Sequence, residues 1–179
     1  MDEMLTTAEL IFEGRVLASE ARWLADGSTI KTFVLFEVQD IVSGDYSDKT
    51  LTLSFEGGTV GDDSISIAGI NLPTVGEKGI YFVEKLGLSF INPIVGWSQG
   101  HFLLKNDGSG KEIVTTQNEI LVIEMDVKSV INDETPDSVS TSGIANGIQV
   151  SKSGSNSAMT STSFKQALKQ RLIQINNIQ

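Results

Sequence analysis

The sequence has no cysteine and only one histidine, His101, in 179 residues. Without cysteine there is no disulfide framework, no thiolate nucleophile and no cysteine-ligated zinc. A single histidine cannot supply the usual zinc ligand set, and a histidine-based triad also needs a serine on a nucleophile elbow. We expect no such elbow in this sequence, and we interpret His101, at the start of a predicted strand, as a surface or strand-edge histidine. We therefore expect no catalytic residue, no metal site and no cofactor, and a protein that is not an enzyme.

The sequence also lacks a basic stripe and a long apolar run. Its net charge of −10 is spread along the chain, which disfavours a nucleic-acid partner. No window approaches the roughly 20 apolar residues of a membrane-spanning helix, so we expect no transmembrane segment. The acidic first residues are not a signal peptide. Since the apolar pattern is already running at Leu10, we expect a trimmed start, a removed export signal and a periplasmic or secreted protein.

The sequence contains many short segments with strand patterning, and glycine-containing turns separate them. In the clearest one, Thr32, Val34, Phe36 and Val38 alternate with residues of the opposite face. A glycine at position 14 marks a bulge or a close approach, and Asp26-Gly27 marks a tight turn. Strands are predicted at 10–18, around 32–38, and at 51–55, 79–84, 90–95, 101–105, 113–116 and 120–125. Strands at this spacing predict a mainly β fold, an OB-like small β-barrel with additional strands and a C-terminal α-helix.

The composition changes near Asn132, and the change predicts three parts of the chain. Residues 1–131 are assigned to the OB-like domain. Residues 132–162 are rich in Ser, Thr, Gly and Asn, which favours a flexible linker or a long loop. In 163–179, Phe164, Leu168 and Leu172 recur at helical spacing after Ser163, a candidate N-cap. We expect this helix to pack on its own barrel, or alternatively on another subunit or a partner.

Four residues are the candidate contacts for a ligand, namely Arg22, Trp23, Trp97 and Gln99. Both tryptophans lie beside turn residues, and exposed tryptophan is a frequent anchor for proteins, peptides and sugars. The competing interpretation is that the tryptophans plug the end of the barrel. Tyr81 and Phe82 are interpreted as core residues.

Three stretches carry a resemblance to a known family. They are Leu10–Val16 (LIFEGRV), the strand ending in Ile41–Gly44 (IVSG), and Val75–Val83 (VGEKGIYFV). They resemble the tissue-inhibitor-of-metalloproteinase and netrin-module type of OB-fold over about 8–105. The order Gly57, Gly58, Gly61, Pro73, Gly76, Glu77, Gly96, Gln99, Gly100 is also similar to that of uncharacterised exported bacterial proteins.

The resemblance implies a fold rather than an activity. The animal inhibitors place an N-terminal cysteine on the zinc of their target, and this chain has none. Inhibition of that kind is therefore not carried over. In addition, Ser43 stands where the resemblance would put lysine before glycine.

The leading hypothesis is a non-enzymatic, exported binding or protein-interaction module whose partner is another protein or a glycan or peptide ligand. One alternative is a hydrolase using a carboxylate pair drawn from Glu13, Glu20, Glu37 and Glu56. Another is a structural or assembly subunit whose C-terminal helix packs on a neighbour. The sequence leaves the oligomeric state open.

Overall fold

A computed structural model describes residues 1–87, 90–125, 144–152 and 158–177. Within them, two helices and ten strands follow in this order: α1 (Asp2–Thr7), β1 (Leu10–Trp23), β2 (Ile30–Ser43), β3 (Thr50–Glu56), β4 (Gly58–Val60), β5 (Asp63–Ile65), β6 (Lys78–Val83), β7 (His101–Asn106), β8 (Glu112–Thr116), β9 (Leu121–Met125), β10 (Ile148–Ser151) and α2 (Ser161–Asn176). The predicted mainly β fold with a C-terminal helix is confirmed.

Eight of these strands form one antiparallel sheet in the order β10-β9-β8-β7-β6-β1-β2-β3. The sheet is not closed, because β3 and β10 form opposite edges of it. Strands β4 and β5 pair separately. The long β1–β2 pair contains register shifts, one of them at Gly14. A Cβ atom on Gly14 would lie 2.8 Å from the backbone oxygen of Glu37, so this position requires glycine.

The sheet is buried on both faces, because alternate residues of its central strands enter two different cores. On one face, Ile80 and Phe82 pack with residues of α1 and α2, including Phe164 and Leu168. On the other face, Tyr81 and Val83 pack against a second cluster. Its other members are Leu10, Phe12, Val16, Val34, Phe36, Leu51, Leu53, Phe55 and Ile94. Strands β2 and β3 contribute side chains to this second cluster, while the helices cover the first.

The C-terminal helix packs on its own sheet, as expected. Phe164 is fully buried, and its ring centroid lies 4.9 Å from that of Phe102. The N-cap lies three residues before the predicted Ser163, since the side chain of Thr160 caps the helix by accepting a hydrogen bond from Ser163 N–H. The preceding backbone is inserted between two strands: Met159 N–H donates to Val122 O (2.7 Å), and Val114 N–H donates to Met159 O (2.9 Å).

Two predictions about the chain need correction. Part of the segment 132–162 is neither linker nor loop, because β10 pairs with β9 and buries Ile148. Residues 132–143 and 153–157 of that segment lie outside the described residues. The predicted strand 90–95 is a connection instead, with one bridge between Val83 and Ile94. Pro93 has no N–H to donate, and the Asn92 side chain accepts from Ile94 N–H (2.9 Å), which favours a turn over a ladder.

Candidate functional site

The first predicted pair of contact residues lies at the end of β1. Trp23 pairs with Ile30 across the Asp26-Gly27 turn, and its side chain is 39% exposed. The guanidinium carbon of Arg22 lies 3.9 Å from the centroid of the Phe33 ring, a cation–π arrangement. Arg22 itself is exposed, so this end of the ribbon presents an indole and a stacked guanidinium to solvent.

The second pair lies in the turn between the Ile94 bridge and β7. Trp97 is 38% exposed, and its φ of 58° lies in the left-handed region, which is strained for a bulky residue. The backbone N–H of Trp97 donates to Ile94 O (2.9 Å), and this hydrogen bond closes the turn. Its indole lies over Gly69, where a Cβ atom would come within 3.7 Å of the ring. The Gln99 side chain folds back over Gly96 instead of pointing away from the turn.

The structure thus arranges the four predicted residues as two pairs. No hydrogen bond or ring contact between described residues joins Arg22 and Trp23 to Trp97 and Gln99. A single surface made by all four stays a prediction.

The second pair belongs to a motif that sequence reasoning missed. Residues 96–100 read GWSQG, which has the G-x-S-x-G spacing of a nucleophile elbow. Such an elbow joins a strand to a helix, whereas here the turn leads into strand β7. The left-handed residues of the motif are Gly96 and Trp97, and Ser98 is not one of them. The motif therefore builds a tight turn that presents an indole.

His101 lies in a buried polar cluster, which corrects its interpretation as a surface residue. It is 2% exposed at the start of β7, opposite Tyr81 of β6. Its Nε2 lies 2.7 Å from Oε1 of Glu77, and the Tyr81 hydroxyl donates to the same oxygen at 2.9 Å. On the other side, Nε2 of Gln117 lies 2.9 Å from Nδ1 of His101.

The hydrogen-bond partners fix the protonation state of this imidazole. Gln117 Nε2 also donates to Asn71 O at 2.9 Å, and because a carbonyl only accepts, the amide nitrogen must face this way. The same amide group therefore donates to His101 Nδ1, which accepts. The ring proton then sits on Nε2 and is donated to Glu77. The imidazole is neutral, and both of its nitrogens are engaged. No hydrogen bond of the described residues joins it to Ser98.

Glu77 is the acidic member of the cluster. Burial alone would raise the pKa of Glu77, but the hydrogen bonds from His101 and Tyr81 hold this pKa below its usual value. Burial raises the pKa of Tyr81, and the neighbouring Glu77 carboxylate raises it further. The carboxylate also lines a cavity of about 300 Å³ together with Thr74, Lys78 and Lys105. The cluster is thus a neutral imidazole and a neutral phenol on one carboxylate.

A second buried carboxylate, Glu13, is held by two lysines. Lys78 Nζ lies 2.9 Å from one of its oxygens and Lys165 Nζ 2.6 Å from the other. Burial opposes ionisation, but the two lysines outweigh it and lower the pKa of Glu13. Lys78 also pairs with Glu112 at 2.7 Å, and Lys165 with Asp40 at 2.7 Å. This ion network ties α2 to β1, β2, β6 and β8.

Within the described parts of the chain, no group of three or more His, Asp or Glu side chains is arranged to hold a metal ion. Neither described helix is long and apolar enough to cross a membrane.

Comparisons with other proteins give no identification. No protein-family model matches the chain, and neither curated proteins nor solved structures give a significant match. The resemblance to the metalloproteinase-inhibitor and netrin type of OB-fold therefore stays a prediction.

Proposed function

We propose that this chain is a non-enzymatic, exported binding module that recognises another protein, or a peptide or glycan, through its exposed tryptophans. The observation that carries the proposal is the conformation of Trp97. A bulky residue in the left-handed region costs of order 1–3 kcal/mol, and such strain clusters at functional sites. Trp97 is nevertheless 38% exposed, so burial of the residue does not account for the strained backbone. Presentation of the indole to a partner does.

Trp23 supports the same interpretation. It is a second half-exposed indole, beside a guanidinium held in place on Phe33. Tryptophan and arginine are the residues most enriched at the energetic centres of interfaces. A rigid aromatic side chain also loses little conformational entropy on binding.

The buried polar groups support a role without catalysis. Both nitrogens of His101 are engaged by Glu77 and Gln117, so neither is free to take a proton from a nucleophile. Both oxygens of Glu13 are held by lysines, whereas a glycosidase needs two carboxylates facing a substrate cleft. These groups stabilise the fold instead of activating a substrate.

The experiment is an affinity capture with three matched baits: the unaltered chain, the double variant W23A/W97A and the control Ile173→Ala. Ile173 is an exposed apolar residue of α2. Each bait is presented to the exported and membrane fractions of the source cell, and bound proteins are identified by mass spectrometry. Thermal unfolding of each bait is measured in parallel.

The expected result is a partner retained by the unaltered chain and by I173A and lost by the double variant at an unchanged melting temperature. Removal of two anchoring indoles is expected to cost about 2 kcal/mol or more, roughly 30-fold in affinity. A double variant that unfolds identifies the tryptophans as core residues. A partner retained equally by all three baits removes them from the interface. Either result refutes the proposal.

A further inference from the structure

The loop of residues 66–74 lies beneath Trp97. Hydrogen bonds in the C-terminal half of this loop hold it to the sheet. The indole of Trp97 covers Gly69, and two residues further on Asn71 O accepts the hydrogen bond from Gln117 Nε2 (2.9 Å). Thr74 adds weaker bonds to Glu77 Oε2, from its N–H at 3.3 Å and its hydroxyl at 3.4 Å. The support under the candidate contact residue thus depends on the buried cluster around His101.

The bond to Asn71 exists only while His101 Nδ1 accepts a hydrogen bond. Gln117 directs one N–H to Nδ1 and the other to Asn71 O. Its own oxygen, Oε1, is buried and has no hydrogen-bond partner. Such an orphaned acceptor carries a desolvation cost. The amide therefore adopts the orientation that donates a hydrogen bond to the neutral imidazole, and this orientation leaves its own carbonyl oxygen without a partner.

A proton on Nδ1 reverses this preference. The imidazolium N–H and the Gln117 N–H would then face each other, two donors without an acceptor between them. Rotation of the amide by half a turn brings Oε1 onto Nδ1–H and satisfies it. The same rotation turns Nε2 away from Asn71 O, and the loop loses that bond.

We propose that His101, Gln117 and Asn71 form a pH-sensitive latch, which fixes the 66–74 loop under Trp97 when the imidazole is neutral and releases it on protonation. The proposal rests on the proposed function, since it concerns the regulation of the same tryptophan. Histidine is the side chain whose ordinary charge change falls between about pH 5 and 8, and this is the range over which the latch is tested.

The charged groups around His101 are compatible with this latch. The connection before β6 contributes Glu77, whose carboxylate accepts from Nε2–H in both protonation states and whose lowered pKa keeps it ionised. Strand β6 contributes the neutral Tyr81, 4.9 Å away between ring centroids. Lys105 of β7 is paired with Glu119 at 2.6 Å, at the rim of the cavity that Glu77 lines. A positive imidazole thus has an ionised partner.

The presence of a single histidine makes the test direct. The titration of His101 is followed by NMR of its ring carbons. The emission of Trp97 is followed in a Trp23→Phe background, and exchange of the Ile70 amide, which donates to Ile67 O at 3.2 Å, is followed by hydrogen–deuterium exchange. We expect the emission shift to have the same midpoint as the imidazole titration. After correction for intrinsic rates, exchange at Ile70 should rise about fivefold, the net value of one neutral hydrogen bond.

Two variants separate the latch from a general effect of acid. In Gln117→Met the imidazole still titrates, but the loop is already released and the emission of Trp97 no longer follows it. In His101→Gln the emission shift in this pH range is lost. The control Gln39→Met alters an exposed glutamine of β2 and should behave as the unaltered chain.

Three results would overturn the proposal: a His101 titration without any change at Trp97, a change at Trp97 with a different midpoint, or a shift that persists in His101→Gln. None of these measurements includes a partner. A failed latch therefore leaves the binding proposal standing, and failure of the capture experiment leaves the latch measurable.

Discussion

Glutamine in place of Glu13 is the most informative test of how α2 is fastened to the sheet. Glutamine has the same size and keeps one acceptor oxygen, so the change removes the charge without opening a cavity. Two charge-assisted hydrogen bonds, from Lys78 at 2.9 Å and Lys165 at 2.6 Å, then become bonds to a neutral group or are lost.

The size of the expected loss in stability depends on the ion pairs that the two lysines retain in the variant. Charge-assisted hydrogen bonds contribute about 1.5–3 kcal/mol and neutral ones about 0.5–1.5 kcal/mol, so each weakened bond costs about 1 kcal/mol. A cation left entirely unpaired in the interior would cost about 3–5 kcal/mol. Here Lys78 retains Glu112 and Lys165 retains Asp40. We therefore expect E13Q to lower the free energy of unfolding by about 2–3 kcal/mol at neutral pH.

The pH dependence gives a second, independent prediction of the same reasoning. The pKa of Glu13 is lowered in the folded chain, so its contribution is present above the unfolded value of about 4.3 and is lost as the pH falls through the folded value. The difference between the unaltered chain and E13Q should thus be constant from pH 6 to 7 and shrink below about pH 4.

Urea unfolding followed by circular dichroism, from pH 3 to 7, measures both quantities. The control Glu20→Gln changes an exposed glutamate on the same strand and should stay within about 0.5 kcal/mol of the unaltered chain. An E13Q variant as stable as this control, or a difference that does not change with pH, would refute the role assigned to Glu13.

Two further predictions concern the same helix. Phe164→Ala removes a fully buried ring that packs on Phe102 and should cost about 3–5 kcal/mol in urea unfolding, whereas the exposed Ile173→Ala should be nearly neutral. A small effect of F164A would mean that α2 is not part of the cooperative core. The second prediction concerns alkaline pH. Desolvation lowers the pKa values of Lys78 and Lys165, but their carboxylate partners outweigh it and raise both. Their contribution is complete below the unfolded pKa of about 10.4 and is lost as the pH rises through the folded values. Unfolding midpoints from pH 9 to 12 test this, and a double variant of both lysines to methionine should show a weaker alkaline decline.

The strand content follows from the sequence because the side-chain pattern is local. Val34 and Phe36 enter the core by simple alternation, and Gly14 marks the bulge because no side chain fits there. Strand β10 was not predicted, because its alternation spans only the four residues Ile148–Ser151 within a stretch rich in Ser, Thr, Gly and Asn. Its position is set by pairing with β9, a tertiary contact that a local pattern does not contain.

The buried cluster could not be predicted for a related reason. His101 and Glu77 lie 24 residues apart in the chain, and they meet because the register places His101 opposite Tyr81. The residues adjacent to each of them in the sequence do not predict that its side chain is buried. The G-x-S-x-G spacing around Trp97 was the one local signal available, and it marks the turn without revealing which side chain the turn presents.

The insertion of Met159 between β8 and β9 has a consequence for the kinetics of folding. The sheet is completed at this point only when a segment from near the end of the chain arrives. The same holds for other late contacts: Ser161 with Glu13 across 148 residues, and Arg171 with Asp2 across 169. The chain loses the conformational entropy of closing such long loops before these contacts form and stabilise it, which slows folding. A nascent chain that has not yet reached α2 therefore exposes the face of the sheet that Phe164 and Leu168 cover in the folded protein.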